Sequence, residues 1–311
     1  MTDPHVVVAG AGAMGCLFGG LLAETGLRVT LLARREEHVA AIRDRGLLMV
    51  GEGGERAIRL GAATSAAGIA PADIVLVQCK AHATRAVSES VAPLMRAGSI
   101  AVSLQNGIGN EEIIAESLGA GAVLGGLTSL GATLEAPGVV RSYASLPTIV
   151  GEMPGGLSQR AVDLASLLSR HGIPTSASAD IAAEKWKKLM LNVAMSATSG
   201  LTGLTIGAIA AHPELSAVAR RAMDEAAAVA AACGVNLTSE TRYATFDGIV
   251  GSGAARNKTS MRRDIEAGRP SEVEAIYRSV IRRGRDKGIA TPTLDTLAAL
   301  VLGLEAERGS D

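Results

Sequence analysis

Aromatic side chains are nearly absent from this chain of 311 residues: two Phe, three Tyr and one Trp, 2% of the total, in a sequence that is 48% hydrophobic. The core must therefore be built from small aliphatic side chains. Cysteine is scarce too. Cys16, Cys79 and Cys233 are odd in number and show no metal or redox spacing, which excludes a disulfide framework and fits a reducing compartment. An excess of charge of one sign is also missing. The formal net charge is −1, so no basic surplus exists to neutralise a nucleic-acid backbone. No apolar run approaches the roughly 18 residues a membrane span needs, and the opening MTDPH lacks the basic and apolar regions of a signal peptide. Five scattered histidines offer no pair at metal-ligand spacing. The expectation is a soluble, cytoplasmic protein without metal, nucleic-acid or membrane partners.

Glycine, by contrast, is plentiful at 37 residues, and three of them carry the strongest signal. His5-Val6-Val7-Val8-Ala9 runs into Gly10-Ala11-Gly12-Ala13-Met14-Gly15, and helix formers follow to Ala23. In such a G-x-G-x-x-G turn the first glycine permits a sharp strand-to-helix reversal. The second lets a pyrophosphate approach the backbone, and the third lets the helix pack closely on its strand. The helix start then offers unpaired N–H groups and a positive dipole end to phosphate. A dinucleotide site is expected here, the bland alternative being a tight turn with no ligand.

The first half alternates short apolar strands with helical stretches: Leu27–Ala33, a helix over Glu36–Arg45, then Asp73–Gln78 and Ile100–Leu104. That order predicts a Rossmann-type, doubly wound parallel sheet. Around the Pro137-Gly138 turn, Val139–Tyr143 and Thr148–Val150 read as an antiparallel extension closing this sheet. Beyond Asp180 the strand signal vanishes and helices are expected over 182–195, 213–233, 271–287 and 292–307. Ser271 with Glu274 has the form of a capping box, and Pro292 suits a first helical turn. The fold class expected is α/β with a C-terminal all-α domain. The boundaries are 1–178 for a dinucleotide-binding domain and 179–311 for a helical substrate and catalytic domain.

Four further features point to chemistry. An NAD-preferring Rossmann site usually places a carboxylate at the end of its second strand. Here that place reads Ala33-Arg34-Arg35, and an arginine fork suits a 2′-phosphate, favouring NADP. The alternative is a pair of arginines opening a surface helix, with Glu36 and Glu37 diluting their field. Lys80 and Asn106 each follow an apolar strand, where the ligand crevice of such a sheet opens; a solvated lysine and an ordinary Asn-Gly turn remain the alternatives. Finally Lys188, Asn192 and Ser196 recur every four residues along one helical stripe, with Lys185 one turn earlier as a competitor.

With this lysine stripe following an N-terminal G-x-G-x-x-G, the chain resembles the ketopantoate reductase (2-dehydropantoate 2-reductase) family over essentially its whole length. The resemblance rests on Gly10 to Gly15, Lys80-Ala81, Gln105-Asn106-Gly107-Ile108-Gly109, Lys188 through Asn192, Ser260 to Ile265 leading to Glu272, and Gly288 to Pro292. It implies NADPH-dependent reduction of a 2-oxo acid, in the family 2-dehydropantoate to (R)-pantoate in pantothenate biosynthesis. It also implies roles. Lys188 is the general acid, and Glu272 supports it or polarises the substrate. Asn106, Asn192, Ser196 and Ser260 stand where substrate polar groups are held. Gly10, Ala11, Gly12, Ala13, Met14, Gly15, Arg34 and Lys80, with Asn106, line the cofactor.

Ser196 departs from the family, which generally carries an asparagine there. A shorter hydroxyl bonds differently, so another branched or aromatic 2-oxo acid stays open as substrate. Two other readings remain. β-Hydroxyacid dehydrogenases pair a similar glycine turn with K-x-x-x-N but usually place a glycine-rich turn before the lysine helix, which Ala182–Trp186 lacks. An NADP-sensing module would keep the glycines and Arg34 without needing Lys188 and Glu272. The sequence does not set the oligomeric state, and a homodimer stays open.

Overall fold

A computed structural model describes residues 4–144, 147–248 and 253–308. The chain divides into two compact units, Met1–Gln105 with Asn110–Ile181, and Asn106–Gly109 with Ala182–Asp311.

In the first unit β1 (His5–Ala9), α1 (Ala13–Glu24), β2 (Arg28–Leu32) and α2 (Glu36–Arg45) follow the predicted order. A hairpin of β3 (Leu47–Gly51) and β4 (Gly54–Ile58) leads to β5 (Gly61–Ala63) and β6 (Ile74–Val77). Then come α3 (Thr84–Val91), β7 (Ile100–Ser103), α4 (Asn110–Leu118) and β8 (Val123–Thr128). The unit ends with β9 (Gly131–Ala136), β10 (Val139–Ala144), β11 (Thr148–Gly151), α5 (Gln159–Arg170) and β12 (Thr175–Ser178).

Among the described residues, eight strands form the main sheet in the order β12-β11-β8-β7-β6-β1-β2-β5. The chain winds outward from β1 to β5, then returns to lay β6 on the other side of β1, parallel and in register from Val6 opposite Ile74 to Ala9 opposite Val77. The strand order reverses at β1 and β6, so the crevice beyond their carboxyl ends is where a ligand belongs in a doubly wound sheet. The central strands are buried on both faces, which is why they read as continuous apolar runs rather than alternations.

The region around Pro137 differs from its expected pairing. β11 does join the main sheet, antiparallel to β8. β10 instead enters a second sheet, ordered β4-β3-β10-β9, pairing parallel with β3 and antiparallel, with register shifts, with β9. The physical reason is the unforeseen β3–β4 hairpin, which supplies β10 with a partner. Gly20 lets α1 lie against it: an added Cβ would stand 3.1 Å from Leu47 Cδ2.

The second unit is helical: α6 (Ile181–Thr202), α7 (Ile206–Ala211), α8 (Pro213–Ala232), α9 (Ser239–Gly248), α10 (Ser260–Glu266), α11 (Ser279–Asp286) and α12 (Pro292–Arg308). Its aliphatic core relies on small residues. Ala219, Ala222, Ala226 and Ala230 of α8 are all buried, and their small side chains permit close helix approach. Gly284 does the same from α11, where a Cβ would stand 3.1 Å from Val229 Cγ2.

The segment expected as one helix over 271–287 is helical from Val273 to Asp286, with a π-helical turn at Glu274–Arg278 running directly into α11. The capping box does not form there. Ser271 Oγ accepts from the Val273 N–H at 3.3 Å, while the Ser271 N–H goes to Glu305 Oε1 at 2.8 Å. Glu274 turns outward to Arg278 and Arg282, since the Ser271 N–H that it would have capped is already taken by Glu305.

Candidate active site

The glycine turn assigns each glycine a different duty. Gly10 has φ +108°, and an added Cβ would lie 2.5 Å from the Cys79 nitrogen. It is the point where the ends of β1 and β6 abut, and only glycine fits. A Cβ at Gly15 would strike the Gly10 carbonyl oxygen and stand 3.2 Å from Val8 Cγ1, so Gly15 seats α1 on its strand. At Gly12 a Cβ would meet nothing within 4 Å. That open side is what a closely approaching pyrophosphate requires.

Backbone donors complete the cradle. The Ala11 N–H is committed to Leu32 O at 2.8 Å and the Gly12 N–H to Gly10 O at 2.9 Å. α1 has no side-chain N-cap, and its first-turn amides at Ala13 and Met14 have no intrahelical acceptor. Amides of this kind, with the helix dipole, are what an anion site uses. Arg34 is exposed just beyond β2, and Lys80 is half-buried just beyond β6, the two strands that flank β1.

The second cluster lies in the helical unit. Lys188 on α6 donates to Asn106 Oδ1 at 2.9 Å, and Asn106 Nδ2 donates to Glu272 Oε2 at 3.0 Å. One orientation of the amide serves both: its oxygen faces the ammonium and its nitrogen faces the carboxylate. Asn106 is held there by its neighbours. Gly107 has φ +80°, and an added Cβ would lie 2.6 Å from the Ala275 carbonyl carbon. The Ile108 N–H donates to Ala275 O at 3.3 Å, an oxygen that also accepts from Ser279 Oγ at 2.6 Å. The π-turn thus presents a backbone carbonyl on which the 106–109 segment docks. π-Turns are frequent at functional sites.

Burial pushes the Lys188 ammonium down from its usual 10.5 to about 8. The neighbouring Lys185 cation lowers it further, while the Glu272 carboxylate opposes both. An ammonium so poised gives up its proton near neutral pH far more readily than a solvated lysine. Lys185 is itself only 5% exposed. Its burial is a feature the stripe pattern does not reveal, since most helical lysines face water.

The remaining expected residues lie on α6 and α10. Asn192 is half-buried and Ser196 buried on the Lys188 face of α6. Ser260 is exposed at the first position of α10, after Thr259, whose hydroxyl accepts the Arg262 N–H at 3.2 Å. Gly200 lets α10 close on α6: a Cβ there would stand 2.8 Å from Ile265 Cδ1. Among the described residues no cluster of three or more His, Cys, Asp or Glu side chains gathers, and no helix is long and apolar enough to cross a membrane.

A glycine cradle at the switch point of a doubly wound sheet, with an ammonium–amide–carboxylate chain in a helical unit, defines a Rossmann-fold oxidoreductase. Comparison with known proteins narrows the class. The family profile described as "Ketopantoate reductase PanE/ApbA" matches residues 6–155, and its C-terminal counterpart matches residues 180–305. The chain is 35% identical to a 2-dehydropantoate 2-reductase of Halobacterium salinarum, over 96% of this chain and 97% of that one. It is 31% identical to that of Mesorhizobium japonicum, over 98% of each. Among solved structures it is similar to a ketopantoate reductase from Ralstonia eutropha (TM-score 0.90, 29% identity, 98% and 99% coverage). It is also similar to a D-mandelate dehydrogenase bound to NADH and anilino(oxo)acetate (TM-score 0.93, 26% identity, 98% and 99% coverage). The chain belongs to the ketopantoate reductase family.

Proposed function

We propose that this protein reduces a 2-oxo acid to the 2-hydroxy acid with NADPH, 2-dehydropantoate to (R)-pantoate being the first candidate. The observation that carries the reading is the Lys188–Asn106–Glu272 chain of hydrogen bonds. The cofactor fits the residues present: Gly12 leaves room for a pyrophosphate, the Ala13 and Met14 amides face it, and Arg34 and Lys80 add positive charge. When bound, the dihydronicotinamide supplies hydride to the carbonyl carbon.

Everything else falls to the chain. Negative charge builds on the carbonyl oxygen as hydride arrives, and Lys188 stabilises that charge and gives up one proton to it. The products are the alcohol and a neutral lysine amine, which water reprotonates. Asn106 aims the ammonium by holding it through Oδ1. Glu272 orients Asn106 and favours the charged lysine. Asn192, Ser196 and Ser260 hold the substrate's carboxylate and hydroxyl groups.

A second reading has support of its own. Ser196 stands where the family generally has asparagine, and the D-mandelate dehydrogenase similar to this chain is bound to an aromatic 2-oxo acid analogue. On that reading the substrate is another branched or aromatic 2-oxo acid, reduced by the same residues.

Lys188→Ala tests the common core. We expect kcat to fall by roughly 10²- to 10⁴-fold, the range for a lost general acid, with NADPH affinity nearly unchanged. A near-normal kcat would remove Lys188 from the chemistry. Screening 2-dehydropantoate beside 2-oxo-3-methylbutanoate and phenylglyoxylate separates the two substrate readings.

A further inference from the structure

Tyr277, one of six aromatic residues, is fully buried in the π-turn. Its hydroxyl donates to Val193 O at 2.8 Å and accepts from the Ala197 N–H at 2.9 Å, with Asn192 O at 3.4 Å. Val193 and Ala197 are four residues apart on α6, and a regular helix bonds that carbonyl directly to that N–H. A phenol seated between them bridges a rung of the ladder. Side chains inserted in this way bend helices. Burial also holds the Tyr277 hydroxyl protonated, with its pKa above the usual 10, so it remains a donor across the working pH range.

The position of this rung matters. Asn192 lies one residue before it and Ser196 one residue before its other end, so the bridged turn separates the two polar groups of the stripe. Below the rung, Lys188 and Asn192 ride on the N-terminal part of α6; Ser196 rides inside it, next to Ala197, where the upper part begins. The upper part bonds its own backbone as well, through Thr198 Oγ1 to Ala194 O at 3.4 Å and Thr202 Oγ1 to Thr198 O at 2.7 Å. Such back-bonding favours a bent helix. The same π-turn docks Asn106 through Ala275 O, so one element governs both ends of the polar row.

We infer that Tyr277 is a specificity-determining positioning residue: its hydroxyl, by bridging Val193 and Ala197, sets the spacing of Ser196 from Asn192 and hence which 2-oxo acid side chain they accept. The inference rests on the proposed reduction of 2-oxo acids. The shorter reach of serine makes the spacing more consequential here than a longer amide would.

The test is Tyr277→Phe, which keeps the ring and removes the bridging oxygen. Steady-state reduction is measured on 2-dehydropantoate, which carries a hydroxyl for Ser196 and Asn192, and on 2-oxo-3-methylbutanoate, which lacks it. We expect kcat/KM to fall about 10-fold on the first, mainly through KM, and less than about 2-fold on the second, with NADPH affinity unchanged. In a Ser196→Ala background the same change should have little further effect on the ratio. Equal losses on both substrates, or an unchanged ratio, would overturn the inference. If the unmodified protein reduces neither acid nor phenylglyoxylate, the proposed function itself fails instead. Should the variant not fold, a crystal structure of the unmodified protein decides: Val193 O and Ala197 N parted beyond about 3.2 Å with the phenol between them supports the inference, and a direct bond overturns it.

Discussion

The two units hold their functional groups by different means. The nucleotide end of the first unit is made of backbone: amides, a helix start and the space left by a missing side chain at Gly12. The proposed reacting end, in the second unit, is made of side chains that hold one another, Lys188 to Asn106 to Glu272. A backbone site is written locally, in six consecutive residues. A side-chain site is assembled from positions 106, 188 and 272, and its geometry depends on what packs behind each. The fold around the first tolerates a side chain wherever space is open; the geometry of the second depends on every member staying in place.

The largest contrast is expected inside the glycine turn itself. Gly10→Ala combines a φ of +108° with collision against Cys79 backbone, and should cost at least about 3 kcal/mol of stability and abolish cofactor binding. Gly12→Ala meets nothing and should shift stability by under about 1 kcal/mol, while still weakening NADPH by obstructing its pyrophosphate. Thermal unfolding alongside cofactor titration separates the two. Equal stability losses would mean that the open side of Gly12 has been misread.

Arg34→Ala comes next. If its guanidinium meets a 2′-phosphate, NADPH affinity should drop roughly 10- to 100-fold while NADH binding stays the same. Equal affinity for the two cofactors in the unmodified protein would sink that preference.

This contrast also explains what could be read from the residues alone. The Gly10–Gly15 turn and the parallel strands after it were readable because strand, glycine spacing and helix are contiguous, and each glycine has a local steric cause. The stripe 188–192–196 was readable from period alone. The bond from Lys188 to Asn106 was not, since it depends on a π-turn at 274–278 that no periodicity announces and on Gly107 pressing against Ala275. The destination of β10 was missed for a related reason: antiparallel character was apparent around Pro137-Gly138, but the partner strand lay about 90 residues earlier. The burial of Lys185 also depends on tertiary packing, and that burial changes what its substitution should do.

The smallest effects are the most diagnostic, because their signs oppose. Lys185 lowers the Lys188 pKa and Glu272 raises it. Lys185→Met should therefore move the alkaline limb of activity to higher pH, and Glu272→Gln should move it to lower pH, each by up to about one unit. Shifts in the same direction would mean that the limb belongs to another group.

That limb is the measurement on which the account turns. If Lys188 is the proton donor its acid form is required, so kcat/KM for reduction should be level at lower pH. It should then fall about tenfold per unit as pH rises through about 8, where the buried ammonium loses its proton. In Lys188→Ala the residual rate should lack this limb. A profile that stays level to pH 10 in the unmodified protein, or an identical limb in the alanine variant, would contradict the assignment of Lys188 as the proton donor.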